Sequence, residues 1–383
     1  MGHFRIAPVG LAAAGVVLSA TALGSPVAAA AGWSAPYLIS ATNFVNVDDG
    51  YSSVSLTADS GGKLHAAVSG VGNGSDGIWY VTNTTGSWTL TRVTNPKGAS
   101  GPAPHDFYPS IATDLDGTAS IAFTRINCTN CAPNPSDGVS YITNAGGTWS
   151  KRQILSKAWA DFPSLLMRNG HVYVAYEISS YTQQKVDYTT DAAGSWTTQK
   201  LAGAKSGPAL MLTSGDVPRI VAIKSHATLG LWKGTSATTL GQAQTIPDAK
   251  GKPRAVVGAL DQQDRPTVAW TAYNANWQQV GVYVSSFRDG AWTAPRRLLN
   301  SGQAVGVAVD ANGRISVLVI GEDQSLLYYF SKDNGLWGAV PLYEGKVGAA
   351  ALAVDGEGQA HVIFTVGKSE PGTGLYYMTG MGF

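Results

Sequence analysis

Short runs of alternating apolar and polar residues recur along almost the whole chain, each closed by a glycine-containing turn. A period of two marks half-buried strands. One unit repeats. Tyr80-x-Thr82-x-x-x-Gly86-x-Trp88 has the spacing of Tyr141-x-Thr143-x-x-x-Gly147-x-Trp149 and of Tyr188-x-Thr190-x-x-x-Gly194-x-Trp196. Tyr329-x-Ser331-x-x-x-Gly335-x-Trp337 keeps it, and Tyr283 to Gly290-x-Trp292 keeps it with one extra residue. Each copy reads as a strand, a tight turn and a second strand opened by Trp. Upstream of each lies another strand pair, joined by turns such as Asp59-Ser60-Gly61-Gly62, Asp114-Leu115-Asp116-Gly117, Asp310-Ala311-Asn312-Gly313 and Asp355-Gly356-Glu357-Gly358. These tetrads lack the further acids of a calcium loop and are expected to be plain turns.

The Trp markers stand at 33, 88, 149, 196, 292 and 337, and the interval from 196 to 292 holds two units with one marker lost. The unmarked unit lies around Leu229 to Ile246. Seven units of ~50 residues with four strands each describe a seven-bladed β-propeller, all-β and a single domain over residues 32–383. The two ends agree. Leu375-Tyr376-Tyr377-Met378-Thr379-Gly380 resembles the third strand of a unit and then stops. Gly32-Trp33-Ser34-Ala35-Pro36 matches Gly290-Ala291-Trp292-Thr293-Ala294-Pro295 closely enough to supply the missing fourth strand. Closing the ring in this way removes free sheet edges.

Composition refines this picture at the margins. Five Glu in 383 residues argue against long solvated helices. Core-forming residues are too many for disorder, and a formal net charge of +1 is too balanced for a nucleic-acid partner. Residues 1–31 have a basic start at Arg5, an apolar run from Val9 to Leu23 and a small-residue end at Ala28-Ala29-Ala30-Ala31. These are the three parts of a secretory signal peptide, so a secreted, extracellular protein is expected, with no membrane association after cleavage. The only cysteines are Cys128 and Cys131. With no second pair to complete a zinc site, and with export expected, they are read as a small disulfide that holds a long loop.

The chain resembles the secreted sialidase-like propellers with BNR (Asp-box) repeats. Their Ser/Thr-x-Asp-x-Gly-x-Thr-Trp motif occupies the turn where this chain has Thr/Ser-x-x-x-Gly-x-Trp, one residue shorter and mostly without the Asp. The resemblance spans nearly all of residues 32–383 and is one of architecture. The family's catalytic arginine motif, Phe/Tyr-Arg-Ile-Pro, has its nearest match in Phe4-Arg5-Ile6-Ala7-Pro8. That match carries an inserted Ala and lies in the leader, so a sialidase reaction is not expected.

Such propellers bind ligands at the channel mouth formed by the start of each first strand and the end of each second. Three units enter through Asp49-Gly50-Tyr51, His105-Asp106-Phe107-Tyr108-Pro109 and Trp159-Ala160-Asp161-Phe162-Pro163. The others enter through Lys205, Lys252-Pro253-Arg254, Gln303 and Lys346, and second strands end near Arg125, Glu177, Lys224 and Tyr273. One side is thus acidic and aromatic, the other cationic. Aromatic faces stack on sugars, acids bind hydroxyls, and cations bind a carboxylate or sulfate.

The expected partner is therefore a glycan or polysaccharide, and the cationic side would suit an anionic one. Candidate catalytic groups are Asp106, His105, Asp161, Glu177 and Tyr108. Candidate substrate contacts are Asp49, Tyr51, Arg125, Trp159, Phe162, Lys224, Arg254 and Tyr273. A carboxylate pair would suit glycoside hydrolysis, and His105 with Tyr108 and an arginine would suit a lyase. A non-catalytic binding propeller is the alternative. Nothing calls for a cofactor or metal, and a closed ring is expected to be a monomer. His65 and His361 occupy equivalent second-strand positions and are read as packing residues.

Overall fold

The computed structural model describes residues 32–41, 54–70, 77–95, 105–126, 137–156, 159–179, 184–225, 228–332, 335–367 and 372–380. The expected leader at 1–31, Asp49, Tyr51, Cys128 and Cys131 lie outside the described residues. The described residues form seven antiparallel sheets, and none of them is helical. The seven inner strands are Val54–Ala58, His105–Thr113, Ala160–Arg168, Ser206–Leu212, Lys252–Leu260, Gly302–Val309 and Val347–Val354. Numbered 1 to 7 in that order, each blade places its inner strand against those of both neighbours, so the sheets close into a seven-bladed β-propeller. In blades 1 to 6 each sheet then runs outward in chain order. In blade 5 the fourth strand is broken into Ala291–Trp292 and Arg296–Leu299, both paired with the third strand.

The repeated Tyr and Trp hold neighbouring blades together. Trp149 of blade 2 packs edge-on against Tyr80 of blade 1 at 5.1 Å, and Trp196 of blade 3 against Tyr141 of blade 2 at 5.7 Å. Trp88 of blade 1 meets Tyr377 of blade 7 at 5.1 Å. Ring pairs of this kind contribute about 0.5–1.5 kcal/mol each beyond the area they bury. Blade 4 has lost its marker because another contact fills the place: the Tyr188 hydroxyl of blade 3 donates to the Ala237 carbonyl, and Leu240 joins the cluster with Trp232. Near the axis, serine hydroxyls stitch inner strands together. Ser55, Ser110 and Ser164 accept from the amides of Ile111, Leu165 and Leu210 at 3.2, 2.9 and 3.0 Å.

The last blade is completed by the start of the chain. Tyr37–Ser40 pairs with Gly374–Gly380, Trp33 bridges to Gly380, and the Thr379 amide donates to Ser34 Oγ at 3.0 Å. His65 and His361 are internal. Each sits between a tyrosine hydroxyl (Tyr80 at 2.6 Å, Tyr377 at 2.8 Å) and an aspartate of the preceding turn (Asp59 at 3.2 Å, Asp355 at 3.0 Å).

Candidate functional site

Blades 2 to 5 share one distortion at the start of the inner strand. Between Phe107 and Ser110, Asp161 and Ser164, Ser206 and Ala209, and Arg254 and Val257, the inner strand carries one residue more than its partner. A bulge of this kind bends the strand and re-aims a side chain. Inside the bulges Tyr108, Phe162, Gly207 and Ala255 take positive φ values of 49°, 52°, 61° and 43°. Glycine adopts that region freely, whereas an aromatic residue there carries strain of about 1–3 kcal/mol. Pro109, Pro163 and Pro208 follow three of the four. All four bulge residues line a central cavity of about 620 Å³. The Tyr108 and Phe162 rings meet there at 4.2 Å with 39° between their planes, and Phe162 is 44% exposed.

Carboxylates gather beside this aromatic wall. Glu177 lines the cavity, and Asp161 stands directly opposite it in the antiparallel register. Their polar neighbours lie in different blades: Glu177 meets Gly207 of blade 4, and Asp161 lies near Thr124 of blade 2. Asp161 itself is not among the cavity-lining residues. Burial raises the Asp161 carboxyl above its ordinary range, against a smaller opposing effect of the nearby Thr124 hydroxyl. Glu177 is also raised: burial is the main cause and the Asp161 charge adds to it. The Gly207 amide, which donates to Glu177 Oε2 at 3.1 Å, and the Arg254 charge pull the other way without winning. Arg254 lines the same cavity, and its guanidinium lies 4.9 Å from the Trp277 ring centre, with the Lys252 ammonium at 4.3 Å.

The structure therefore brings Tyr108, Phe162, Glu177, Arg254 and, beside Glu177, Asp161 to one mouth of the channel. Other candidates lie elsewhere. Asp106 is fully buried, and both of its oxygens are taken by Arg125 at 2.6 Å, with the Thr94 hydroxyl donating at 2.5 Å. Asp106 and Arg125 are thus each other's partners inside blade 2 and do not line the cavity. His105 stacks on Phe107 at 5.4 Å, away from the cavity wall. Lys224 reaches outward to Thr245 Oγ1 at 3.4 Å, and Tyr273 receives a hydrogen bond from Gln279. Trp159 is 37% exposed with φ 59° and is not a wall residue.

Two features escaped the sequence reading. Trp277 sits in a blade-5 turn outside the repeat phase, and the signal available for it was Asn274-Ala275-Asn276-Trp277, a turn sequence ending in an aromatic. The second is a cleft of about 750 Å³ between blades 5, 6 and 7, which shares Gln303 and Val305 with the central cavity. Among the described residues no group of three or more His, Cys, Asp or Glu could hold a metal ion.

No protein-family profile matches the chain, and no curated protein matches it. Solved structures do. Two structures of an ulvan lyase, a polysaccharide lyase, align with TM-scores of 0.59 and 0.57 at 12% identity, covering 86% of this chain and 94% of theirs. One of them is bound to -[GlcA(1-4)Rha3S]-. A Hadza microbial sialidase, Hz136, aligns with a TM-score of 0.52 at 10% identity, covering 88% of this chain and 68% of its own. A Dyadobacter fermentans protein of unknown function gives 0.51 at 11% identity, covering 74% of this chain and 96% of its own. At such identities the likeness is one of fold, and it establishes an architecture-level resemblance to the sialidase-like propellers. The neighbours with a stated activity are carbohydrate-related.

Proposed function

We propose that this protein is an exported, carbohydrate-active propeller that binds a glycan at the channel mouth and cleaves it by hydrolysis. The observation that carries the reading is the Asp161–Glu177 pair: two carboxyls in register, both held above the ordinary carboxylate range, beside an aromatic wall and a cation. Burial raises both carboxyls and the Asp161 charge adds to the rise at Glu177, which favours Glu177 as the group that carries a proton. Glu177, at the cavity wall, donates that proton to the leaving glycosidic oxygen. Asp161, ionised and next to Glu177 in register, is assigned as the base that takes a proton from the attacking water as the glycosidic C–O bond breaks. The faces of Tyr108 and Phe162 support a sugar ring, and Arg254 receives a carboxylate or sulfate on the glycan. The ulvan lyase ligand, a glucuronate–sulfated rhamnose repeat, is the kind of anionic glycan meant. Hydrolysis is preferred to elimination because Arg125 is spent on Asp106 and His105 packs against Phe107. The segment 1–31 supports action outside the cell.

One observation favours a second reading, a non-catalytic binding propeller. Glu177 Oε2 already accepts the Gly207 amide, which ties that carboxyl into the framework of blade 4. Mass spectrometry of a uronate-containing polysaccharide panel after incubation with the protein separates the two. Products heavier by one water, lost in Glu177→Gln, support the hydrolase. Unsaturated products would replace hydrolysis with elimination. Retention of glycan without cleavage would leave the binding module.

A further inference from the structure

The cleft between blades 5, 6 and 7 differs in chemistry from the central cavity that it adjoins. Its polar wall is built of carboxamides, including Asn274, Gln278, Gln279, Gln303 and Gln324. Glu322 is the one charged residue in it, and no cation is present among its described lining residues. A carboxamide offers donors and an acceptor side by side, which matches neighbouring hydroxyls on a sugar ring and has no preference for a charged group.

Several of these amides are fixed before any ligand arrives. Gln279 donates to the Tyr273 hydroxyl at 3.2 Å and accepts from Ser301 at 3.0 Å. Asn274 donates to Gln278 Oε1 at 2.9 Å, while its own oxygen accepts the amides of Asn276 and Gln278. Side chains already ordered lose little freedom on binding. Gln303 is exposed and belongs to both cavities, so a single chain can pass from one to the other without leaving the surface.

We propose that this cleft is a second glycan subsite, which holds uncharged, hydroxyl-rich sugar units of the same chain whose charged unit sits beside Arg254. The proposal rests on the glycan-binding reading of the mouth and adds polarity and direction to it: charged unit over blades 3 to 5, neutral units over blades 5 to 7. The preferred glycan is then one in which uronate units are interrupted by neutral ones, and affinity rises with length.

The test is calorimetric titration with two oligosaccharide series from disaccharide to hexasaccharide, glucuronoxylan fragments with a single uronate and polygalacturonate fragments with a uronate at every unit. The expected result is a gain of about tenfold from disaccharide to hexasaccharide in the glucuronoxylan series, and little gain in the other, since a few neutral hydrogen bonds suffice for that factor. Gln278→Ala combined with Gln324→Ala should abolish the gain and leave disaccharide affinity unchanged, since neither residue lines the central cavity. Gln303→Glu should weaken the long polygalacturonates further, and matching melting curves for all variants exclude loss of fold. A gain that survives the double variant, an equal gain in both series, or no gain at all would overturn the subsite. Failure of the mouth reading looks different: Arg254→Ala would leave every affinity unchanged while the length gain and its dependence on Gln278 and Gln324 persisted.

Discussion

Blades 2 and 3 start almost alike, with His105-Asp106-Phe107-Tyr108-Pro109-Ser110 in one and Trp159-Ala160-Asp161-Phe162-Pro163-Ser164 in the other. Their aspartates nevertheless meet opposite fates. Counted from the bulge, Asp106 stands one residue earlier than Asp161, and one step along a strand turns a side chain to the other face. Asp106 enters the blade, opposite Arg125, and its charge is fully matched there. Asp161 falls opposite Glu177, another acid; burial raises both carboxyls above the ordinary range, and the Asp161 charge adds to the rise at Glu177. A complete ion pair makes framework. On the reading proposed above, the pair of acids is the one that supplies a proton.

Substitutions can break each half of this contrast. The largest stability effect is expected in blade 2. Arg125→Ala leaves a buried carboxylate unmatched and should cost about 3–5 kcal/mol in chemical denaturation, as removal of one partner of a buried pair does. In blade 3 the fold should survive and the chemistry should not. Glu177→Gln is expected to lower glycan cleavage by about 10²–10⁴-fold, with a melting temperature near that of the parent. A full loss of fold in that variant, or undiminished turnover, would remove the contrast.

The pH dependence of stability sharpens it next. Asp161 and Glu177 have folded-state values above their unfolded ones, so the native state binds protons more tightly. Their contribution is fully present below the ordinary carboxylate range and is lost as pH rises through the raised values. Asp355 runs the other way. Burial opposes its ionisation, but His361 and the amides of Gln359 and Glu357 outweigh burial and hold it below the ordinary range. Its contribution is present above that range and is lost on acidification. Thermal melts across mildly acidic pH should therefore show a decline toward neutrality that flattens in the Asp161→Asn, Glu177→Gln double variant. The smallest effect belongs to the bulge. Phe162→Gly relieves a positive φ while removing the partner of Tyr108, so stability should move by less than about 1 kcal/mol while glycan affinity falls.

The fold was legible because its signal is repeated. The Tyr and Trp spacing that marks each unit is the spacing needed to dock one blade on the next, as Trp149 on Tyr80 illustrates. The unmarked blade was harder to read for the same reason, since Leu240 and the Ala237 carbonyl do there what a Trp does elsewhere. Strand phase was enough to bring Tyr108, Phe162, Glu177 and Arg254 to one end of the ring. It was not enough to separate Asp106 from Asp161, because that depends on a one-residue bulge invisible to the repeat. Nor could it reveal that Arg125 answers Asp106, a pairing made across strands 19 positions apart. Trp277 and the amide-lined cleft belong to turns that differ from blade to blade, where no period exists to be read.

The seam in blade 7 also sets a clock. Six blades are each made from one contiguous stretch of chain and can form as soon as it is available. The seventh joins Ser34 to Thr379 across 345 positions, so it is expected to form last, after a long loop closure. Until then the ring is a crescent whose two outermost blades, 1 and 7, lack the packing of Val54 and Leu56 against Ala351 and Ile363. A chain clipped within residues 33–40 would leave blade 7 without its outermost strand. It would keep six finished blades and present the bare edge of Gly374–Gly380 to the next molecule, and its expected failure is therefore polymerisation rather than collapse.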